Sequence, residues 1–175
     1  MRKLAFAALA AALVLALAAP AWALFGSKFE DELEKEQGCV KLAREAARGG
    51  YGLVTAAELK AWQEQGKDMV IVDTMPYEAS YQKAHLPRAV QFLFPIPEME
   101  QWEAAETGGK SREDFARLLG PDQDRTIVVY CGFVKCTRSH NGAMWAKRLG
   151  YRDVHRFAGG IYAWKGADYP VEGSD

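Results

Sequence analysis

The sequence predicts an α/β fold in which a parallel sheet is covered by helices on both faces. Two continuous apolar runs, 69–73 and 126–130, are typical of strands that are buried on both sides. Segments with helical periodicity separate the predicted strands, and such alternation builds right-handed βαβ units. The chain has 175 residues, of which 49% are hydrophobic and 26% are charged, as expected of one globular domain.

The first 23 residues have the organisation of a secretory signal peptide. Arg2 and Lys3 give a positive start, an apolar run covers 4–19, and residues 21–23 (AWA) resemble a cleavage site. The run is shorter than the roughly 20 residues that a membrane span needs. We therefore expect cleavage and a periplasmic or secreted protein with no membrane contact afterwards; an uncleaved N-terminal anchor is the alternative.

Residues 24–50 are predicted to form an N-terminal helical arm. The segment 30–48 is rich in helix formers and ends before two glycines. Its apolar residues recur at helical spacing: Leu33, Val40, Ala43 and Ala47. We expect this helix to pack on the domain that follows, residues 51–175, rather than to bind a partner.

Helices and strands alternate along that domain. Thr55 and Glu58 form a capping box that opens a helix reaching about residue 65. After the strand at 69–73, a proline suits the first turn of a helix over 76–84, and 89–94 can form a short strand. Residues 95–110 are interpreted as an irregular, solvated insertion. Helices are then expected over 111–120 and 138–149, with a short one after the glycines at 159–160 that runs through residue 164, and strands over 126–130 and 153–157.

The stretch after the second buried strand is the predicted functional loop. Cys131 ends this strand, at the edge where open parallel sheets bind ligands, and Arg138 opens the next helix. Loop N–H groups, the helix N-terminus and the charges of Lys135 and Arg138 all favour an anion. We therefore expect a lowered pKa for Cys131, which would make it a nucleophile, and binding of an anionic substrate by Arg138.

Three segments resemble the rhodanese (thiosulfate sulfurtransferase) superfamily. The first, around 126–149, is a strand that leads into a cysteine, followed by a loop, an Arg-Ser pair and a helix. The second is the strand 70–73, a helix with Glu78 and the sequence HLPRA at 85–89, which resembles the family's GHIPGA segment. The third is 154–170, with its Gly-Gly, Trp and Tyr-Pro, which resembles the closing segment. The resemblance covers about residues 52–172.

The resemblance implies a five-stranded parallel sheet and sulfur transfer without a cofactor. Cys131 would take sulfane sulfur from a small anionic donor, such as thiosulfate or polysulfide, and pass it from a persulfide to a thiol or cyanide-like acceptor. Arg138 matches the arginine of the active loop, and Asp73 and His85 match supporting positions. The substrate cradle would consist of Gly132, Phe133, Val134, Lys135, Cys136, Thr137 and Ser139.

The loop departs from the family pattern in its length. Rhodanese loops usually place four residues between cysteine and arginine, and the related phosphatase and arsenate-reductase loops place five. Here 132–137 makes six. A longer loop makes a wider cradle, which favours polysulfide, another oxyanion or a protein-borne sulfur as alternatives to thiosulfate.

The second loop cysteine has two interpretations. Cys136 could be a resolving thiol that attacks a persulfide or sulfenate on Cys131 and closes a disulfide. It could instead pack under the loop as a small apolar residue. The chain has three cysteines, so at least one stays unpaired within a monomer, and a bond between Cys39 and a loop cysteine is a third option.

Composition and spacing argue against other classes of partner. Removing Arg2 and Lys3 from the 22 basic residues leaves 20 against 23 acidic ones, too small an imbalance to indicate nucleic acid. Cys131, Cys136 and His140 lack the close cysteine pairs of a zinc site, so we expect no metal. Two other functions stay open: a thiol-based redox enzyme, oxyanion reductase or phosphatase-like enzyme, and a non-catalytic sulfur-carrier or binding module.

Overall fold

The structure, a computed structural model, describes residues 22–174, and side chains from residue 28 onward. The predicted signal peptide, 1–23, lies outside the described residues except for Trp22 and Ala23. Among the described residues we find no helix with the length and apolar character that a membrane crossing requires.

The described chain alternates helices and strands. The α-helices are α1 (Trp22–Gly49), α2 (Ala56–Glu64), α3 (Arg112–Leu119), α4 (Arg138–Arg148) and α5 (Gly160–Gly166). The strands are β1 (Gly52–Leu53), β2 (Met69–Asp73), β3 (Ala89–Gln91), β4 (Thr126–Tyr130) and β5 (Val154–Phe157). A π-helical turn covers Tyr77–Tyr81, and a 3-10 turn covers Ala104–Thr107.

The five strands form one parallel sheet in the order β1-β5-β4-β2-β3, which confirms the predicted fold class. Every residue of β2 and β4 is buried, as their continuous apolar sequences indicated. The two strands are in register, with Asp73 opposite Tyr130. Their carboxyl ends therefore lie side by side, and the residues that follow them share one edge of the sheet.

Two capping boxes fix the starts of α2 and α3. Thr55 Oγ1 accepts the Glu58 N–H, while the Glu58 carboxylate accepts the Thr55 N–H at 2.8 Å. Ser111 and Asp114 repeat the arrangement at α3. Because each box satisfies two helix-terminal N–H groups, the helix begins at a defined residue.

The segment between β2 and β3 differs from its prediction. The helix expected over 76–84 is only the π-helical turn Tyr77–Tyr81. The chain leaves the helical path because the backbone of His85 pairs with Glu172 through two hydrogen bonds, of 2.8 and 2.9 Å. The strand expected over 89–94 ends at Gln91. The Phe92 N–H still donates to the carbonyl of Asp73 at the end of β2, and the Phe94 N–H donates to the carbonyl of Thr74.

The insertion at 95–110 is largely exposed, including its acidic residues and both glycines, as expected of a solvated loop, but its residues around Met99 are anchored to α4. Met99 is buried, and its N–H donates to Asn141 Oδ1 at 2.9 Å. The Asn141 amide in turn donates to the carbonyls of Pro95 and Pro97, at 2.9 and 2.8 Å. A buried amide with three such partners holds the insertion in place.

The residues of helix α1 belong to two compact units, with the boundary between Cys39 and Val40. In the first, the described residues 22–39 are helical, and the side chains of 28–37 are exposed. In the second, 40–174, the end of the helix packs through Glu45 and Ala46, while Ala43 and Ala47 of the predicted apolar stripe are exposed. The buried face of this part of the helix is thus organised around a carboxylate.

Candidate active site

The loop 131–137 leaves β4 and enters α4 at Arg138, so it stands at the carboxyl edge of the sheet. Its base is held by the start of α5, where the Ile161 N–H donates to the Cys131 carbonyl at 3.0 Å. Gly160 has a φ of 58°, and a Cβ there would lie 2.2 Å from the same carbonyl oxygen. Only glycine fits this close approach, which accounts for the second glycine of the Gly-Gly pair.

A cavity of about 550 Å3 opens beside the loop. Cys136 contributes to its wall, together with Gly132 at the start of the loop. Four cationic side chains also line it: Lys83, Lys135, Arg138 and Lys165. Within the described chain no aspartate or glutamate lines this cavity, so its field favours an anionic ligand.

Apolar side chains form the rim of the same cavity. Phe133 stacks on Tyr162 with 5.6 Å between ring centroids, and both rings are exposed, by 46% and 67%. Ile96 lies on the rim as well and is 58% exposed. Sites for organic ligands measure roughly 300–1,000 Å3. The cavity therefore has room for a ligand with an organic portion in addition to an anionic group.

Cys131 is buried beneath the loop, with only 1% of its surface exposed. Its Sγ lies 3.4 Å from the Cys136 carbonyl oxygen and 3.2 Å from Ser139 Oγ. Burial, followed by the neighbouring Cys136 sulfur, raises the pKa of the Cys131 thiol well above its ordinary value. The prediction of a lowered pKa for Cys131 is therefore wrong: the helix N-terminus and cations lie near it, but burial outweighs them.

Cys136 has the lowered pKa instead. The neighbouring Cys131 thiol lowers the pKa of Cys136, against a smaller opposing effect of burial. The backbone N–H groups of Arg138 and Gly132 and the Arg138 charge act in the same direction. These groups favour a thiolate at Cys136, whereas burial disfavours one at Cys131.

Arg156 supports the loop from below. Its side chain is completely buried, and Nη2 donates to the carbonyls of Cys136 at 2.8 Å and Val134 at 3.2 Å. Its Nε donates to Ser139 Oγ at 2.8 Å. One guanidinium therefore holds both the loop backbone and the residue that contacts Cys131.

The last turns of α1 complete this support. Lys41 Nζ donates to the Lys135 carbonyl at 2.7 Å and to Thr137 Oγ1 at 2.8 Å, and it lies 3.3 Å from Glu45 Oε1. No site role was predicted for these residues or for Arg156. One signal was available, because an arginine inside a strand expected to be buried requires a buried acceptor or counter-ion.

Arg138 lies where it was predicted, at the first residue of α4. Its Nη1 donates to the carbonyl of Phe94, which fixes one side of the guanidinium, and the side chain also lines the cavity. Ser139, the next residue, is fully buried and faces Cys131 rather than the cavity. Of the predicted cradle, the cavity is therefore lined by Gly132, Phe133, Lys135 and Cys136.

The two predicted supporting residues have different positions. Asp73 is fully buried at the end of β2, where Oδ1 accepts the N–H of the cavity residue Met75 at 2.8 Å. Burial raises the pKa of Asp73 to about 6, although hydrogen bonds from Tyr130 and Met75 oppose the change. His85 does not line the cavity; it stacks on Tyr81 at 4.0 Å between centroids, and its Nε2 lies 3.6 Å from Glu172.

The three cysteines are free thiols in this structure. The described residues contain no group of three or more His, Cys, Asp or Glu side chains arranged to hold a metal ion. His140 is buried between two other partners, the Tyr51 hydroxyl at 2.8 Å and Glu98 Oε1 at 3.2 Å.

Solved structures share this fold at low sequence identity. A thiosulfate sulfurtransferase from Pseudomonas aeruginosa matches with a TM-score of 0.55 and 21% identity, over 74% of this chain and 22% of that one. A full-length protein from Lactobacillus plantarum has a TM-score of 0.51 and 18% identity, over 83% and 98% of the two chains. A protein of unknown function and possible tyrosine phosphatase from Rhodopseudomonas palustris has a TM-score of 0.50 and 23% identity, over 75% of this chain and 90% of that one. At these identities the likeness shows the fold alone.

The family follows from the sequence itself. No match was found among the curated proteins. The family model of the rhodanese-like domain matches residues 55–167, which include β2, the loop after β4 and the Gly-Gly start of α5. This match covers more than half of the chain and agrees with the five-stranded parallel sheet. The chain therefore belongs to the rhodanese-like domain family.

Proposed function

We propose that this protein is an exported sulfurtransferase, which moves sulfane sulfur from an anionic donor to a thiophilic acceptor through a cysteine persulfide in the loop 131–138. The observation that carries the proposal is an ionisable thiol in the wall of a cavity lined by four cationic side chains. Thiosulfate and polysulfide are donors of the required charge. A thiol can be the acceptor, because its thiolate attacks the outer sulfur of the persulfide in the same way that the loop thiolate attacks the donor.

The proposed chemistry needs only groups that the loop supplies. A thiolate attacks the outer sulfur of the donor, and the donor remainder leaves with the electron pair of the broken S–S bond. The resulting persulfide is itself anionic, so the N–H groups and Arg138 that favour the thiolate also favour the intermediate. An acceptor thiolate then attacks the outer sulfur and returns the cysteine to its starting state.

A phosphatase reaction in the same cavity has less support. Cleavage of a phosphate ester needs a carboxylic acid, or another acid, to protonate the leaving group. Within the described chain the cavity lining contains no aspartate or glutamate, and Asp73 is buried beneath it. Sulfur transfer avoids this requirement, because sulfite and thiolates leave without protonation.

A thiol redox function is the second candidate. The observation in its favour is that the loop holds both cysteines together, with Cys131 Sγ 3.4 Å from the Cys136 carbonyl oxygen, so a nucleophile and a resolving thiol are close. In such an enzyme the sulfane sulfur or an oxyanion would be reduced, the two cysteines would form a disulfide, and an external dithiol would have to reduce it. Sulfur transfer differs because it leaves both cysteines at their starting oxidation level.

Mass measurement of the intact protein tests the proposal. The reduced protein is incubated with thiosulfate and, separately, with polysulfide, in a Cys39→Ser background that leaves only the two loop thiols. We expect a mass gain of one sulfur atom with at least one donor, and its loss when a thiol acceptor is added. The matched control carries Cys131→Ser and Cys136→Ser together and should gain nothing. If no donor adds sulfur and the protein instead loses two hydrogens, the redox candidate replaces this one.

Export is a separate part of the proposal and rests on residues 1–23. Expression of the full chain in a bacterial host should yield periplasmic protein whose N-terminus follows residue 23. Replacement of the two positive residues and part of the apolar run should retain the protein in the cytoplasm. Unprocessed protein in the membrane fraction would indicate an uncleaved anchor instead.

A further inference from the structure

The cavity beside the loop has two chemically different parts. Its cationic part consists of the half-buried Arg138 and three lysines. These charges attract any anion, so they do not distinguish thiosulfate from a larger anionic donor. The apolar part is formed by Phe133, Tyr162 and Ile96. An inorganic and an organic donor would differ in their contacts with this second part.

The backbone fixes the two aromatic rings of the apolar part. The Tyr162 N–H donates to the Gly132 carbonyl at 3.0 Å, which ties α5 to the start of the loop. The Cys136 N–H donates to the Phe133 carbonyl, also at 3.0 Å, and closes a turn at the base of the Phe133 side chain. The rings stack with 26° between their planes. Because the pair is formed without a ligand, a ligand that contacts it loses little affinity to the ordering of these side chains.

The ring pair presents a continuous apolar surface at the mouth of the cavity. Phe133 and Tyr162 stack on each other and remain 46% and 67% exposed, and Ile96 is 58% exposed. An apolar surface of this kind at a cavity is typical of a site that an organic ligand covers. Phe133 belongs to the segment 132–137, which is longer than the usual rhodanese loop. The longer loop therefore contributes one of the two rings.

We propose that the sulfur donor of this site is an organic anion, in which a negatively charged terminal sulfane sulfur is attached to an apolar group that lies against Phe133 and Tyr162. This inference rests on the proposed sulfurtransferase function and names its class of donor. The charged end of the donor is bound by Arg138, and the apolar group removes the ring pair from water. Thiosulfate has no apolar group, so it leaves the rings exposed.

The transfer is balanced for a donor of this class. A loop cysteine thiolate forms a bond to the outer sulfur of an organic thiosulfonate, and the bond between the two sulfurs of the donor breaks. The organic sulfinate leaves with the electron pair of that bond, and the cysteine becomes a persulfide. An organic persulfide reacts in the same way and releases a thiolate. An acceptor thiolate then attacks the outer sulfur, and the electron pair of the cysteine–sulfur bond returns to the cysteine.

Two matched donors test the inference. Benzenethiosulfonate and methanethiosulfonate carry the same charged head and outer sulfur and differ only in the organic group. Sulfur loading of the reduced Cys39→Ser protein is followed by intact mass, which gives a second-order rate constant for each donor. The same constants are measured for a small free thiol. We define the selectivity as the benzene-to-methane ratio of the protein divided by that of the free thiol, and we expect a value above about ten.

The outcomes separate this inference from the proposed function. A selectivity near one overturns the organic donor and leaves the sulfurtransferase function standing, and loading by thiosulfate or polysulfide alone has the same meaning. If the folded protein is loaded by none of the four donors, both proposals are overturned. A selectivity above about ten supports both.

Variants of the ring pair test where the organic group binds. Phe133→Ala and Tyr162→Ala should each lower the selectivity by about three- to tenfold, whereas Tyr162→Phe, which keeps the ring, should retain it. Tyr77→Ala is the matched control, because Tyr77 is 55% exposed and stacks on Tyr81 at 5.6 Å but does not line the cavity. Its selectivity should equal that of the unsubstituted protein. An unchanged selectivity in both folded alanine variants of the ring pair would overturn the inference.

Discussion

Arg156 Nη1 lies 2.5 Å from Glu45 Oε2, and the two side chains are 0% and 3% exposed although 111 residues separate them along the chain. Burial of two charges is expensive, and an ion pair of this kind contributes little net stability relative to apolar residues of the same size. The remaining N–H groups of the guanidinium hold the carbonyls of Val134 and Cys136. The pair therefore connects the end of α1 to the active loop, and we attribute its role to positioning.

Breaking this pair should be strongly destabilising. Glu45→Gln leaves the Arg156 charge buried without its counter-ion, and we expect a loss of about 3–5 kcal/mol in the free energy of unfolding. Urea denaturation monitored by tryptophan fluorescence measures it. Glu36→Gln is the matched control, since Glu36 is exposed on the same helix and should change stability by less than about 0.5 kcal/mol. If the two variants have the same free energy of unfolding, the ion pair does not contribute to stability in the way that we predict.

Lys41 should control the order of the loop more than the stability of the fold. Lys41→Met retains the aliphatic stem but removes the donors to the Lys135 carbonyl and Thr137 Oγ1. We expect faster hydrogen exchange of the amides at 133–137 and little change in those of β4, measured by mass spectrometry. Lys35→Met is the control because Lys35 is exposed and forms an ion pair with the exposed Glu32. Unchanged exchange in the loop would mean that α1 does not restrain it.

Two exposed lysines of the cavity should attract the anionic donor. Lys83→Gln and Lys165→Gln each remove a positive charge from the lining, and we expect a two- to fivefold lower kcat/KM, or about 0.4–1 kcal/mol each. Added salt should reduce the difference from wild type, because it screens exposed charges. Lys60→Gln, on α2 and outside the cavity lining, is the charge-matched control. A uniform effect of all three variants would indicate net charge rather than the site.

Asp73 should make stability depend on pH in the acidic range. Its pKa rises from an ordinary 3.8 to about 6 on folding, so the folded protein binds the proton more tightly than the unfolded chain does. This contribution to stability is complete below pH 4 and is lost as pH rises to about 6; it amounts to about 3 kcal/mol. Asp73→Asn should remove this loss, so that its stability relative to wild type increases between pH 4 and 6 in urea titrations. A constant difference over that range would contradict the assignment.

The sheet could be predicted where the sequence carries a local signal. The continuous apolar runs located β2 and β4 correctly, and the capping box of Thr55 and Glu58 located the start of α2. Strand β1 was not located, because Gly52–Leu53 has two residues, both exposed, and shows no periodicity. It is held only by pairing with β5, a contact with a residue about a hundred positions away.

The sequence predicts where the candidate site lies, but not which side chains of the loop face the cavity. The position of a cysteine at a strand end before a helix located the loop, because topology alone brings strand ends and helix N-termini together. The sequence could not show which thiol faces the cavity, since that depends on the path of the loop. Contacts from Arg156 and Lys41 hold this path, and both come from distant segments. Burial then raises the pKa of Cys131, for which the sequence predicts a lowered value.

Sulfur transfer can be followed with labelled sulfur. The full chain is loaded with a donor that carries a radiolabelled sulfane sulfur, separated from excess donor by gel filtration, and mixed with a small thiol. We expect label bound in a one-to-one ratio to the chain, its appearance on the acceptor thiol, and a protein that can be loaded again. Protein that binds no label, or that releases it only as sulfide while its two loop cysteines form a disulfide, would rule out the proposed sulfur transfer.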